Sequence, residues 1–123
     1  MLNKVILIGR LVKKPELRES DNKTSYLKAT LAVQSNYKKK DGDYETEFLE
    51  FTTFGKTAEN TAKYCDKGSL INIVGYLTNN IYQDKNGVNH YQISIIANQI
   101  SFLSKGNKKE EKLDGEDIFI LGQ

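Results

Sequence analysis

Four aromatic side chains and a scatter of cations carry the chemistry this sequence offers. Tyr37 opens the stretch YKKKDGDYETEFLEFTTFG, in which Lys38, Lys39 and Lys40 precede an Asp-Gly pair and Phe48 and Phe54 follow. Phe48 and Phe54 lie an even number of residues apart, which in an extended strand puts both rings on one face. Tyr82 sits in a second polar stretch, IYQDKNG. An exposed flat ring can cover the face of a nucleic-acid base, and such a stack is worth about 1–3 kcal/mol. Lysines and arginines among the rings neutralise phosphates and release counterions. The candidate phosphate partners are Lys4, Arg10, Arg18, Lys28, Lys38, Lys40, Lys56 and Lys67. A duplex hides its base faces in its own stack, so rings of this kind select an unpaired strand and read no sequence. For any single ring the alternative is a core or interface aromatic, and for any single lysine a merely solvated charge. The four rings taken together are harder to place inside a core.

Rings can share a surface only if strands hold them. Met1 to Lys14 reads as a first strand, with Val5 and Leu7 facing one way and Ile6 and Ile8 the other. Gly9 suggests a bend or bulge within it, and Pro15 ends it. Residues 16–24 are polar and turn-like. Tyr26 to Ser35 is a second strand: Leu27, Ala29, Leu31 and Val33 share one face, Tyr26, Lys28, Thr30 and Ala32 the other. Lys40-Asp41-Gly42-Asp43 is a hairpin signal. Tyr44 to Phe54 is a third strand, with Leu49, Phe51 and Thr53 inward and Phe48, Glu50, Thr52 and Phe54 outward. Between Gly55 and Gly68 the period becomes helical, through Ala58, Thr61, Ala62 and Cys65, and Gly68 is the expected stop. Ser69 to Thr78 is a fourth strand. Asn79 to Asn89 is a polar hairpin turning at Asn86-Gly87, and Tyr91 to Leu103 is a fifth strand.

Three strands, one short helix and two strands is the order of the five-stranded Greek-key barrel, the all-β OB-fold. That fold takes its ligands on the face of strands 2 and 3 and on the loops 1–2 and 4–5, where the four rings fall. The barrel domain is expected over residues 1–104. Residues 105–123, beginning with a polar run of KGNKKEEKLDGED, read as a disordered tail with an acidic-apolar end.

Composition narrows the remaining classes. A chain of 123 residues is one domain by length, and at 38% hydrophobic residues it can fill one small core. Its mean hydropathy is −0.56, and no apolar run approaches the roughly 18 residues a membrane helix needs. The N-terminal segment carries an apolar run of four residues and does not read as a signal peptide. One cysteine excludes an internal disulfide and fits a reducing cytoplasm. Residues 1–105 hold 15 Lys and Arg against 11 Asp and Glu, whereas residues 106–123 hold 3 against 5. The body is thus mildly basic and the tail mildly acidic. With one His and one Cys a zinc site is not expected, and no cofactor is implied.

Several stretches resemble bacterial single-stranded DNA-binding proteins: MLNKVILIGRLVKKPELR, TLAVQSNY, EFLEFTTFGKTAENTAKYCDKGS and the IYQDKNG hairpin. The resemblance runs in register over about residues 1–104. It implies an OB-fold, sequence-independent binding and protection of single-stranded DNA in replication, recombination and repair, and a homotetramer in the nucleoid of a bacterial cytoplasm. The family's main stacking rings fall on Tyr37, Phe48 and Tyr82, with Phe54 a further one. Lys4, Arg18, Lys56 and Lys67 match basic positions that meet the phosphate backbone. There are departures. Lys14 replaces a common Asp, Glu50 stands where a basic residue is frequent, and Thr78, Asn80 and Ile81 replace an often basic stretch. Leu49 stands where some relatives have an interface histidine. Relatives end in a long linker and an acidic tip closing on Pro-Phe, which docks replication and repair proteins. Here Glu116, Asp117, Ile118 and Phe119 match that tip, but the linker is short, Pro is absent and Phe119 is not terminal. The short tail leans toward a copy carried by a phage, plasmid or other mobile element.

Two rival functions stand beside this one. An enzyme is not expected: His90 reads as a surface residue near a strand start, Cys65 as a small core residue, and no catalytic set or phosphate-loop glycine pattern is present. An OB-fold protein-interaction module, such as a primosome-type accessory or structural subunit, would use the same rings as a protein interface.

Overall fold

In the computed structural model, residues 1–105 are described. The tail and its expected docking residues Glu116, Asp117, Ile118 and Phe119 lie outside the described residues. The elements run β1 Val5–Leu11, β2 Arg18–Glu19, β3 Ser25–Lys38, β4 Tyr44–Phe54, α1 Gly55–Tyr64, β5 Leu70–Gln83 and β6 Asn89–Ser104. Sheet order is β1-β5-β6-β4-β3-β2, and β1 also pairs with β3, which closes five strands into a barrel. The β4–β6 seam is parallel, at Phe51 opposite Ile95 through Thr53 opposite Ala97, and the other seams are antiparallel. The expected all-β barrel of five strands with one helix between the third and fourth is therefore the fold observed.

Alternation builds the core. Leu27, Leu31, Phe51, Ile71 and Ile73 are fully buried, and Leu11, Ala58, Cys65 and Ala97 complete the cluster. Ala29 and Val33 pack against it from β3, as the period of that strand requires. Thr53 is buried without an apolar side chain because its hydroxyl donates to the Ala97 carbonyl at 3.0 Å across the parallel seam. Helix α1 packs on β3, β4 and β6, burying Ala58 and Thr61.

Four expectations need correction. Gly9 is not a bulge, since its register with β5 is continuous from Ile8 opposite Asn72 to Arg10 opposite Leu70. It is a crossing point: a Cβ there would run into the Ala32 carbonyl of β3 and come within 2.9 Å of the Leu31 side chain. The stretch 16–24 contains the short strand β2, which pairs Arg18 with Tyr26 and Glu19 with Ser25. The helix ends at Tyr64, not at Gly68; Cys65 turns extended (φ −107°, ψ 155°) and lies buried in the core. Gly68 instead serves the turn into β5, donating to the Leu11 carbonyl at 2.8 Å. Finally, most of the polar stretch 79–89 is strand. β5 and β6 stay paired as far as Gln83 opposite Asn89, so only the tip is a turn.

Candidate nucleic-acid interface

The β3–β4 register decides which side chains share the outer face. Directly opposed residues project to the same side. Phe54 lies opposite Tyr26, Thr52 opposite Lys28, Glu50 opposite Thr30 and Phe48 opposite Ala32. Because Tyr26 in turn faces Arg18 of β2, one cross-strand row reads Arg18, Tyr26, Phe54. Phe48 is 65% exposed and Phe54 48% exposed, although both sit within a well-paired ladder. The six residue steps from one to the other span on the order of 20 Å of strand. Both ends of this face are therefore aromatic, with Lys28 and Glu50 between them.

A groove of about 290 Å³ opens beside the same face, where the β1–β2 loop leans over it. Its walls include Lys13, Lys14, Arg18 and Lys28, together with the carboxylates of Glu16 and Glu50. Glu16 lies 3.8 Å from Arg18 in an exposed pair. No ion pair involves Glu50 among the described residues. Lys13 and Lys14 were not among the expected phosphate partners, and neither was Tyr26 among the expected rings. The adjacent basic pair in KKPELR and the outward phase of Tyr26 were the available signals.

The other expected residues are distributed around the barrel. Tyr37 is 81% exposed but stands in the irregular stretch between Gln34 and Lys38, where the ladder shifts register, so it has no cross-strand partner. Lys38 lies 5.6 Å from the centre of the Tyr44 ring. Lys40 is exposed in the turn closed by Lys39 and Asp43. Lys4 is exposed just before β1, in a segment pinned to β5 by paired hydrogen bonds between Asn3 and Leu77 at 2.7 and 2.9 Å. Lys56 and Lys67 are exposed in the first turn of α1 and in the loop that follows it. Arg10 is half-buried and donates to the Gly68 carbonyl at 2.9 Å, so part of its hydrogen-bonding capacity serves the fold.

Tyr82 projects from the β5–β6 hairpin directly opposite His90. The two rings are stacked, with centroids 5.1 Å apart and planes 19° from parallel. His90 Nε2 lies 2.8 Å from Asp84 Oδ2. The other carboxylate oxygen accepts the backbone N–H groups of Asn86 and Val88, both at 2.9 Å. These bonds hold the Asp84 carboxyl below its ordinary range, the imidazole contact first and the Val88 N–H next. The turn itself uses Gly87 at φ 81°.

Comparison with known proteins places this architecture. The model of the single-strand binding protein family matches residues 2–103, which is the whole barrel. The chain belongs to the single-strand binding protein family. Single-stranded DNA-binding protein B of Bacillus subtilis (strain 168) is 39% identical over 103 residues, covering 84% of this chain and 91% of that protein. A single-stranded DNA-binding protein of Clostridium tetani (strain Massachusetts / E88) is 38% identical over 119 residues, covering 96% of this chain and 81% of its own. One from Staphylococcus aureus (strain N315) is 38% identical over 114 residues, covering 93% and 73%. Within the family's barrel, the outer face of β3 and β4 and the β5–β6 hairpin correspond to the ligand surfaces of the OB-fold. Among the described residues no helix is long and apolar enough to cross a membrane, and no group of three or more His, Cys, Asp or Glu side chains is placed to hold a metal ion.

Proposed function

We infer that this chain binds single-stranded DNA without regard to sequence and shields it from re-pairing and from nucleases. The observation that carries this reading is the outer face of β3–β4. There Phe48, Tyr26 and Phe54 share one side of the sheet with Lys28 and Arg18 on a barrel of the single-strand binding protein family. Bases stack on Phe48, Phe54, Tyr82 and Tyr37. Phosphates meet Lys4, Arg18, Lys28, Lys38, Lys40, Lys56 and Lys67, with Lys13 and Lys14 added at the groove, while Arg10 contributes what its bond to Gly68 leaves free. Nothing in this scheme makes or breaks a covalent bond. The family match gives no support to the rival reading of the rings as a protein-docking face.

The same reading extends to assembly. The outward side of β1 and β5 carries Ile6 (63% exposed), Ile8 and Tyr76, an apolar strip next to a buried Asn72 amide oxygen that has no hydrogen-bond partner among the described residues. A second copy seated there would cover the strip, which supports self-association; the tetramer is assigned from the sequence resemblance alone. The acidic-apolar segment Glu116, Asp117, Ile118 and Phe119 is assigned the docking of replication or repair proteins from its sequence alone.

The test is the affinity of the purified chain for a labelled dT oligonucleotide and for a duplex of equal length, across a series of salt concentrations. Tight binding to the single strand, weak binding to the duplex, and a log–log salt slope of about −0.7 for each phosphate engaged are expected. Equal binding to both, or none to either, overturns the assignment.

A further inference from the structure

We propose that His90 is a positioning residue for DNA binding: its imidazole, held by Asp84, backs the Tyr82 ring and presents the opposite ring face to a base. The inference rests on Tyr82 being a stacking residue, as read above, and concerns what makes that ring effective.

The geometry forms an unbroken chain from backbone to ring. Asp84 is the first residue of the hairpin turn. Its backbone N–H donates to the Val88 carbonyl at 3.0 Å, and its carbonyl accepts from the Gly87 N–H at 3.1 Å. Its side chain then splits its two oxygens: Oδ1 takes the Asn86 and Val88 N–H groups, and Oδ2 faces His90 Nε2. An ionised carboxylate only accepts, so the imidazole donates from Nε2, and that bond fixes both the tautomer and the ring plane. The fixed imidazole lies against Tyr82 at 5.1 Å and 19°. Tyr82 remains 53% exposed, because only one of its faces is taken.

A tyrosine on a hairpin arm would otherwise sample several rotamers in water, and stacking on a base would have to freeze them. Ordering the ring in advance removes that cost from the binding step. The turn is suited to the task, since one carboxylate both closes the loop and aims the histidine. His90 needs no contact with DNA to act in this way. Loss of the backing ring is expected to weaken binding by about twofold to tenfold, the worth of one aromatic pair.

The experiment is a double-mutant cycle read by dT-oligonucleotide affinity at several salt concentrations, with thermal unfolding as the fold control. The variants are His90→Ala, His90→Phe, Tyr82→Ala and Tyr82→Ala combined with His90→Ala. His90→Ala is expected to weaken binding without changing the salt slope, His90→Phe to restore only part of the affinity, since it returns a ring but not the bond to Asp84, and His90→Ala to have no further effect once Tyr82 is gone. A loss of the same size in the Tyr82→Ala background would mean that His90 touches DNA itself and would overturn the proposal. So would a flattened salt slope, which would make His90 a phosphate-binding cation, or full affinity in His90→Phe, which would mean that the Asp84 bond does not position the ring. If Tyr82→Ala weakens binding and His90→Ala does not, the positioning role falls while the stacking reading stands. If Tyr82→Ala is itself silent, the stacking role of this hairpin falls with it, and binding of the unmodified chain shows whether the wider function survives.

Discussion

Replacing Phe48 by alanine separates stacking from electrostatics more cleanly than any other single change. The ring is 65% exposed, and the residue opposite it on β3 is Ala32, so little in the fold leans on it. Its removal is expected to move folding stability by no more than about 0.5 kcal/mol, as for ordinary surface substitutions. For DNA the ring is worth about 1–3 kcal/mol if a base lies on it. At about 1.4 kcal/mol per tenfold change, that is a loss of roughly fivefold to a hundredfold in affinity. The charge of the face is untouched, so the log–log salt dependence should keep its slope and shift only its intercept. The assay is a fluorescence titration of a labelled dT oligonucleotide at four or more salt concentrations, beside a thermal melt. Unchanged affinity would remove Phe48 from the binding face. A flatter slope with the same melt would mean that the ring positions cations instead of covering a base.

Three further outcomes follow from the geometry. Glu50→Lys replaces the one groove carboxylate with no ion pair among the described residues and should steepen the salt slope by about 0.7 for one added phosphate contact, read in the same titrations; an unchanged slope would place the DNA path elsewhere. Gly9→Ala forces a methyl against the Ala32 carbonyl and should cost about 1–3 kcal/mol, seen as a lower denaturant midpoint; an unchanged midpoint would refute the tight β1–β3 crossing. Burial pushes the Cys65 thiol from 9.0 to about 11, against a smaller opposing pull from Lys14. The unfolded chain therefore gives up that proton first, and stability should fall as pH rises from about 9 through 11. At pH 8 the folded chain should resist alkylation, and rapid labelling of native protein would contradict the burial.

The barrel was legible in the sequence because its strands alternate strictly where one face is core. Leu27, Ala29, Leu31 and Val33, and then Leu49, Phe51 and Thr53, announce their phase without any knowledge of their partners. The outward set Phe48, Glu50, Thr52 and Phe54 follows by subtraction. What alternation could not supply was pairing between distant strands. β2 is too short to carry a period and exists only because β3 lies beside it. Gly9 reads as a bulge in isolation and becomes a crossing point only once β3 is present. The polar residues of the hairpin read as loop because β5 and β6 run on well past the apolar positions that mark them. His90 was legible only as a surface residue; its partnership with Tyr82 depends on a register that no local pattern encodes. Tyr26 had the right phase, but its row with Arg18 and Phe54 likewise needed the pairing on both sides of β3.

The pairing of β1 with β5 also governs when the protein becomes competent during its own synthesis. β1 leaves the ribosome before the other strands of the barrel, yet its partner β5 begins at Leu70, and the parallel seam to β4 waits for β6. The β3–β4 hairpin that carries the rings is complete by Phe54, well before any of these seams can form. Contacts so far apart in the chain close late. A ribosome that stalls between the helix and β6 would thus present the aromatic ribbon with its core side open to water, a sticky fragment and a target for chaperones. The order of strands makes nearly the whole domain a condition for a closed barrel, so a truncated product would lack the core that backs its rings.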